Sequence, residues 1–122
     1  MAQINGRKKG HAFELYVRDI FRRLGYVHCK TSRSCNRELD AAGVDLVNAG
    51  RYLVQCKAVE QSMDVHALLE RMPKHPRHSV RLVAHKRNRK GITISMPLES
   101  FVELVELYER AKRCPICSNE PE

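Results

Sequence analysis

The segment Gly43-Val44-Asp45-Leu46-Val47, followed after Asn48-Ala49-Gly50-Arg51 by Tyr52-Leu53-Val54-Gln55-Cys56-Lys57, decides how this chain reads. Two apolar runs of strand length flank a short turn with a glycine suited to positive φ. Val44 to Asn48 and Tyr52 to Lys57 are therefore predicted to be strands joined through Ala49-Gly50-Arg51. Strand side chains alternate between faces, so Leu53, Gln55 and Lys57 share one face while Tyr52, Val54 and Cys56 share the other. An amide and an ammonium beside Leu53 are costly unless they have partners. With the turn at residues 49–51, Asp45 is predicted opposite Gln55, so a carboxylate, an amide oxygen and an ammonium converge.

Upstream, Phe13, Tyr16, Val17, Ile20, Phe21 and Leu24 recur at helical spacing, predicting a helix from Lys8 to Leu24 that Gly25 ends. On a helical wheel Val17, Ile20 and Leu24 fall within about 40° of Phe13, and Glu14 sits at about 100°, on the border of the apolar face. A border acid can reach inward. Tyr26 to Thr31 reads as a strand, and the polar stretch from Thr31 to Gly43 as a loop. Ser62 is a candidate cap for a helix carrying Val65, Leu68, Leu69 and Met72, ended by Pro73 and Pro76. Val80 to Ala84 and Ile92 to Met96 read as strands around the loop 85–90, and Pro97 opens a last helix. The expected fold is α/β, a central mixed sheet flanked by helices in the order α-β-β-β-α-β-β-α. Residues 1–113 form the expected domain, and 114–122 a short tail.

The chain has 122 residues, 43% of them apolar, which suits one domain with its own core and excludes global disorder. Basic residues number 22 against 14 acidic ones, a net charge of +8, which favours a polyanionic partner, usually nucleic acid. No segment is long and apolar enough to span a membrane, and no signal-peptide core is evident, so a cytoplasmic, nucleoid-associated location is expected. The absence of Trp argues against an aromatic platform for single strands. Arg7, Lys8 and Lys9 precede the first helix, Arg33 and Arg37 flank the polar loop, and Lys86, Arg87, Arg89 and Lys90 fill the later one. Such charges grip phosphates without reading bases. Glu38 and Asp40 are further acids before Asp45.

Phosphodiester hydrolysis needs this set of groups. Mg²⁺ takes oxygen ligands and keeps several waters, so one or two carboxylates and a carbonyl suffice to hold it. Lys57 is then placed to orient the attacking water and offset charge on the phosphate.

Asp45, then Gln55-x-Lys57 after a hairpin, with Glu14 on the preceding helix, resembles the PD-(D/E)xK nuclease superfamily. Over roughly residues 7–108 the chain looks most like the archaeal-type Holliday junction resolvases, including those that some phages encode. The resemblance implies a restriction-endonuclease-like fold and a homodimer that cuts branched DNA symmetrically with Mg²⁺ or Mn²⁺. It implies that Asp45, Gln55 and Glu14 bind the metal, that Lys57 is the catalytic lysine, and that Ser32 or Ser34 is the family's loop serine near the DNA. Gln55 departs from the more frequent Glu; it keeps an oxygen but removes a negative charge, which predicts weaker Mg²⁺ binding. The alternatives are another nuclease of the superfamily acting on flaps, ends or duplex DNA, and a DNA-binding protein whose nuclease-like site is inert.

Cys114-Pro115-Ile116-Cys117 has the spacing of half a zinc knuckle. Two tails could pair in a dimer, or His28, Cys29 or Cys35 could complete the set; otherwise the tail carries two free thiols.

Overall fold

The computed structural model describes residues 2–74 and 79–113, with side chains from Lys8 onward. The elements are α1 (Ala2–Arg23), β1 (Lys30–Thr31), a 3₁₀ turn (Ser32–Ser34), α2 (Arg37–Ala41), β2 (Leu46–Val47), β3 (Tyr52–Ala58), α3 (Val65–Arg71), β4 (Val80–Arg87), β5 (Gly91–Ser95) and α4 (Leu98–Arg113). The predicted order is recovered with one addition, α2, inside the stretch read as loop. Asn36 explains it: its side chain accepts from Leu39 N–H and caps the helix.

The sheet is mixed, as expected, with β3 parallel to β4 and β4 antiparallel to β5. β1 and β2 form a separate antiparallel pair, Lys30 opposite Val47 and Thr31 opposite Leu46. β3 is buried on both faces. Val54 and Cys56, with Leu82 and Ala84 of β4, pack under Phe13, Val17 and Phe21 of α1. Val83, with the half-buried Leu53, packs against Val44, Leu69 and Met72. Each large apolar side chain so buried contributes roughly 1.5–3 kcal/mol, so α1 is fastened firmly across the sheet. The buried stripe of α1 is Phe13, Glu14, Val17 and Phe21, while Leu24 is 68% exposed. It is turned toward Glu14 relative to the predicted face, because the rings of Phe21, Tyr26 and Tyr52 pack together at its end.

α1 begins at Ala2 and not at Lys8, so Arg7, Lys8 and Lys9 lie within the helix and do not precede it. Four other boundaries differ from the sequence reading. β1 is two residues long and Val27 is exposed, since Tyr26 bends back onto Phe21 instead of extending. Asp64, not Ser62, caps α3, accepting from Ala67 N–H at 3.1 Å. β4 continues to Arg87, so Lys86 and Arg87 lie on a strand paired with Ile92 and Gly91, and the turn is confined to residues 88–90. The fourth difference concerns β2 and β3, which do not form the predicted regular ladder. At residues 48–50 the chain takes positive φ at Asn48 and Gly50, and it reaches the edge of β3 chiefly through Asp45.

α4 follows Pro97, whose carbonyl accepts from Ser100 and Phe101 N–H. None of its residues is buried. Phe101, Val102, Val105 and Tyr108 are exposed, as are Ile92 and Ile94 on β5, and an ion pair from Glu103 to Arg51 at 2.8 Å ties the helix to the body. No helix among the described residues is long and apolar enough to cross a membrane.

Candidate active site

The site is built on the edge of β3 that β4 leaves open. Asp45 covers that edge. Its N–H donates to Val54 carbonyl at 2.7 Å, and its Oδ2 accepts from Cys56 N–H at 2.7 Å. Its own carbonyl accepts from Ser32 N–H at 2.8 Å. Asp45 therefore faces Val54 and reaches past Gln55 with its side chain, which replaces the predicted register of Asp45 opposite Gln55. The physical reason is that a carboxylate is a better acceptor for Cys56 N–H than a strand carbonyl, and Asp45's carbonyl is already taken by Ser32.

Burial pushes the Asp45 carboxyl up to about 6. The Cys56 N–H and the Lys57 ammonium pull it down, while the Glu14 and Asp40 carboxylates push it up further. Glu14, Asp40 and Lys57 are thus the charged side chains that bear on this carboxylate. Burial likewise raises the Cys56 thiol well above its ordinary value, and the Asp45 and Glu14 charges add to it, so that sulfur is an apolar spacer between α1 and the site.

Gln55 is 5% exposed, and its Oε1 is a buried acceptor with no hydrogen-bond partner among the described residues. Its amide lies against Gly43, where φ is +85° and an added Cβ would stand 3.4 Å from Gln55 Nε2. The positive φ is what requires glycine there, since 3.4 Å is an ordinary van der Waals contact. A buried amide oxygen without a donor costs about 1–3 kcal/mol, a cost that a cation ligated by that oxygen would remove.

Glu14 is 5% exposed and is brought in by the turned stripe of α1. Arg33 clasps it with two bonds, Nε to Oε1 at 3.0 Å and Nη2 to Oε2 at 2.6 Å. His11 Nδ1 lies 4.0 Å from Glu14 Oε1. Lys57 makes no hydrogen bond among the described side chains. The residues fit a hard divalent cation of the Mg²⁺ type. Among the described residues no three His, Cys, Asp or Glu side chains form a closed cage. An ion would thus rest on Asp45, Gln55 and Glu14 and keep waters, the habit of Mg²⁺.

The phosphate-gripping residues divide. Ser32 is wholly buried, its hydroxyl donating to Val44 carbonyl at 2.6 Å, so in this arrangement it braces the Asp45 segment and cannot touch DNA. Ser34 is exposed beside it, bonded to Thr31 carbonyl. Arg37 opens α2 at the surface. Lys9 pairs with Glu60 at 3.1 Å, and the same carboxylate accepts from Asn88 N–H. One acid therefore brings Lys9, in the first half of α1, beside the turn 88–90, so that Lys9, Arg87, Arg89 and Lys90 stand at one end of the sheet. The Arg7 side chain and the Cys114 and Cys117 pair lie outside the described residues.

The Glu14–Arg33 clasp and the Glu60 staple have no signal in the sequence, because 19 and 28 residues separate the partners. No curated protein and no solved structure matches the chain. A family model described as restriction endonuclease, Mrr_cat, matches residues 7–97, about three quarters of the chain and all of the elements just described from α1 to Pro97. The chain belongs to this restriction endonuclease family, of the PD-(D/E)xK type, and is a nuclease domain.

Proposed function

We propose that the chain is a metal-dependent, structure-selective DNA endonuclease that resolves four-way junctions by paired nicks as a homodimer. The observation that carries the chemistry is the buried, unpartnered Gln55 Oε1 at the edge of β3 where Asp45 sits, with Glu14 and Lys57 bearing on the same carboxylate. Asp45, Gln55 and Glu14 would hold Mg²⁺ or Mn²⁺, which when bound supplies polarisation of the scissile phosphate and a more acidic water. Lys57, carried on β3, orients the attacking water and offsets the charge that grows on the phosphate oxygens. Cys56 N–H fixes one oxygen of Asp45 and leaves the other for the site. The basic end of the sheet and Arg37 grip the backbone on either side.

Self-association is supported by α4, an amphipathic helix with no buried residue. A second copy suits it because the helix is polar in charge, with Glu99, Glu103 and Glu106 early and Arg110, Lys112 and Arg113 in the last turn. Antiparallel pairing over Phe101, Val105 and Tyr108 would set each acidic half against the partner's basic end, a two-fold arrangement that also pairs the nicks.

The test is cleavage of junction, flap, duplex and single-stranded DNA with Mg²⁺ and with Mn²⁺. Junctions should be cut first, and Lys57→Ala should lose at least ~10²-fold in rate while retaining binding. Full cutting by that variant would sink the mechanism. Family membership favours a second reading, an endonuclease acting on duplex DNA; duplex cut as fast as junction would decide for it.

A further inference from the structure

The clasp of Arg33 on Glu14 has no part in the chemistry above. It satisfies both oxygens of the one acid that α1 delivers to the site, with bonds of 3.0 and 2.6 Å. The two partners differ sharply in freedom. The Glu14 side chain is 7% exposed and fixed on a packed helix, whereas that of Arg33 is 44% exposed and rides on a three-residue turn. Lys57, the other cation near Asp45, is anchored on β3.

Charge decides what this means. At neutral pH with Asp45 ionised, the three acids Glu14, Asp40 and Asp45 face the two bases Arg33 and Lys57, which leaves one negative charge in excess. Gln55 contributes an oxygen without charge. Adding a divalent cation would overshoot that excess by one positive charge, and both Glu14 oxygens are already taken by Arg33, so a resident positive charge has to leave. Of the two bases only Arg33 can swing to solvent without unpacking the fold. If it leaves, the cation and Lys57 together offset the three acids, and both oxygens of Glu14 are free for the ion. The guanidinium that has left Glu14 is itself a two-pronged phosphate ligand.

We propose that Arg33 and the divalent cation compete for Glu14, and that cation binding hands the Arg33 guanidinium to the DNA backbone. Arg33 is then the element that couples metal binding to DNA binding in this chain. The proposal rests on the metal-site reading given above. By linkage, cation and DNA each strengthen the other's binding by the same factor.

The experiment is calorimetric titration of the full chain with Mn²⁺, beside fluorescence anisotropy of a short duplex with and without Mg²⁺. Arg33→Ala should bind Mn²⁺ roughly tenfold more tightly, since a strong charge-assisted competitor is gone. It should bind duplex more weakly, and Mg²⁺ should no longer improve that binding as it does in the wild type. A merely structural role would not move the two affinities in opposite directions. In a Glu14→Gln background, Arg33→Ala should leave Mn²⁺ affinity unchanged. Mn²⁺ binding by Arg33→Ala equal to or weaker than wild type overturns the proposal and leaves the metal site standing. No Mn²⁺ binding by either protein overturns the site and the proposal together. A measurement on the wild-type chain covers the case of a variant that does not fold: the Arg33 Nε–H resonance should shift and exchange faster when Mg²⁺ is added, and an unmoved resonance overturns the proposal.

Discussion

Glu14 and Glu60 are both held across the fold by a base, one by Arg33 at 2.6 Å and the other by Lys9 at 3.1 Å. The side chain of Glu60 is 47% exposed, and water shares its charge, so the contact with Lys9 is of the kind that contributes little to stability. Glu14 is 7% exposed, and beside it Asp45 is pushed up to about 6. There the same type of bond satisfies both oxygens of an acid that water does not reach. The difference teaches that burial, not the pairing of opposite charges, makes an ion pair consequential. At the surface, an acid arranges basic residues for a polyanion. In the interior, an acid and its base form a site that has a use for a further cation.

The buried side is tested most severely by Asp45→Asn. Burial raises this carboxyl above its ordinary 3.8, so the folded chain binds the proton more tightly than the unfolded chain does. The contribution to stability is full below about pH 4, falls as pH rises toward about 6, and above that ionised Asp45 is a net cost. The variant should be more stable than wild type at pH 8 by on the order of 2–3 kcal/mol, lose that advantage at pH 4, and cut no DNA. Urea unfolding at the two pH values checks it. Equal stability at pH 8 would place Asp45 with the surface acids and break the comparison.

The surface side is sharpened by replacing Arg87, Arg89 and Lys90 together with Ala. These exposed residues have no part in the core, so the melting temperature should hold. Junction affinity should fall, and the slope of log affinity against log salt should flatten by up to about 3, near one for each phosphate no longer neutralised. An unchanged slope would remove the basic turn from the DNA interface.

The smallest effect is expected from Glu60→Gln. Losing the staple should leave the melting temperature nearly unchanged, because water already shares the charge of this half-exposed acid, and should strengthen duplex binding slightly by releasing Lys9. A marked drop in melting temperature would show that the surface acid carries structure as the buried one does.

Much of this was legible in the chain itself. The run from Gly43 to Lys57 announced a turn between extended segments, and helical spacing from Phe13 announced α1. Asp45, Gln55, Lys57 and Glu14 could be named as one set from those patterns. The misreadings have local causes. α2 was hidden because its signal is a single cap, Asn36, before a polar pentapeptide. β1 was overdrawn because Tyr26 and Val27 have strand propensity, but Tyr26 packs back on Phe21. Lys86 and Arg87 looked like loop because they are charged, and the outer end of β4 carries charges freely. Ser32 looked like a surface serine, yet its hydroxyl is spent inside on Val44.

What the sequence determined by itself is what repeats at short range: the α/β order, the apolar faces of α1 and α4, the identity of the clustered polar residues and the basic character of the chain. Those follow from side-chain periodicity, which each segment carries alone. Only the tertiary structure decided that the buried stripe of α1 turns to deliver Glu14, that Asp45 reaches past Gln55 to Cys56 N–H, that Gln55 Oε1 is left without a donor, and that Arg33 occupies Glu14. These depend on which donors and acceptors remain once the sheet has paired. Hydrogen-bond satisfaction and desolvation are properties of the whole packed interior, and no single segment contains them.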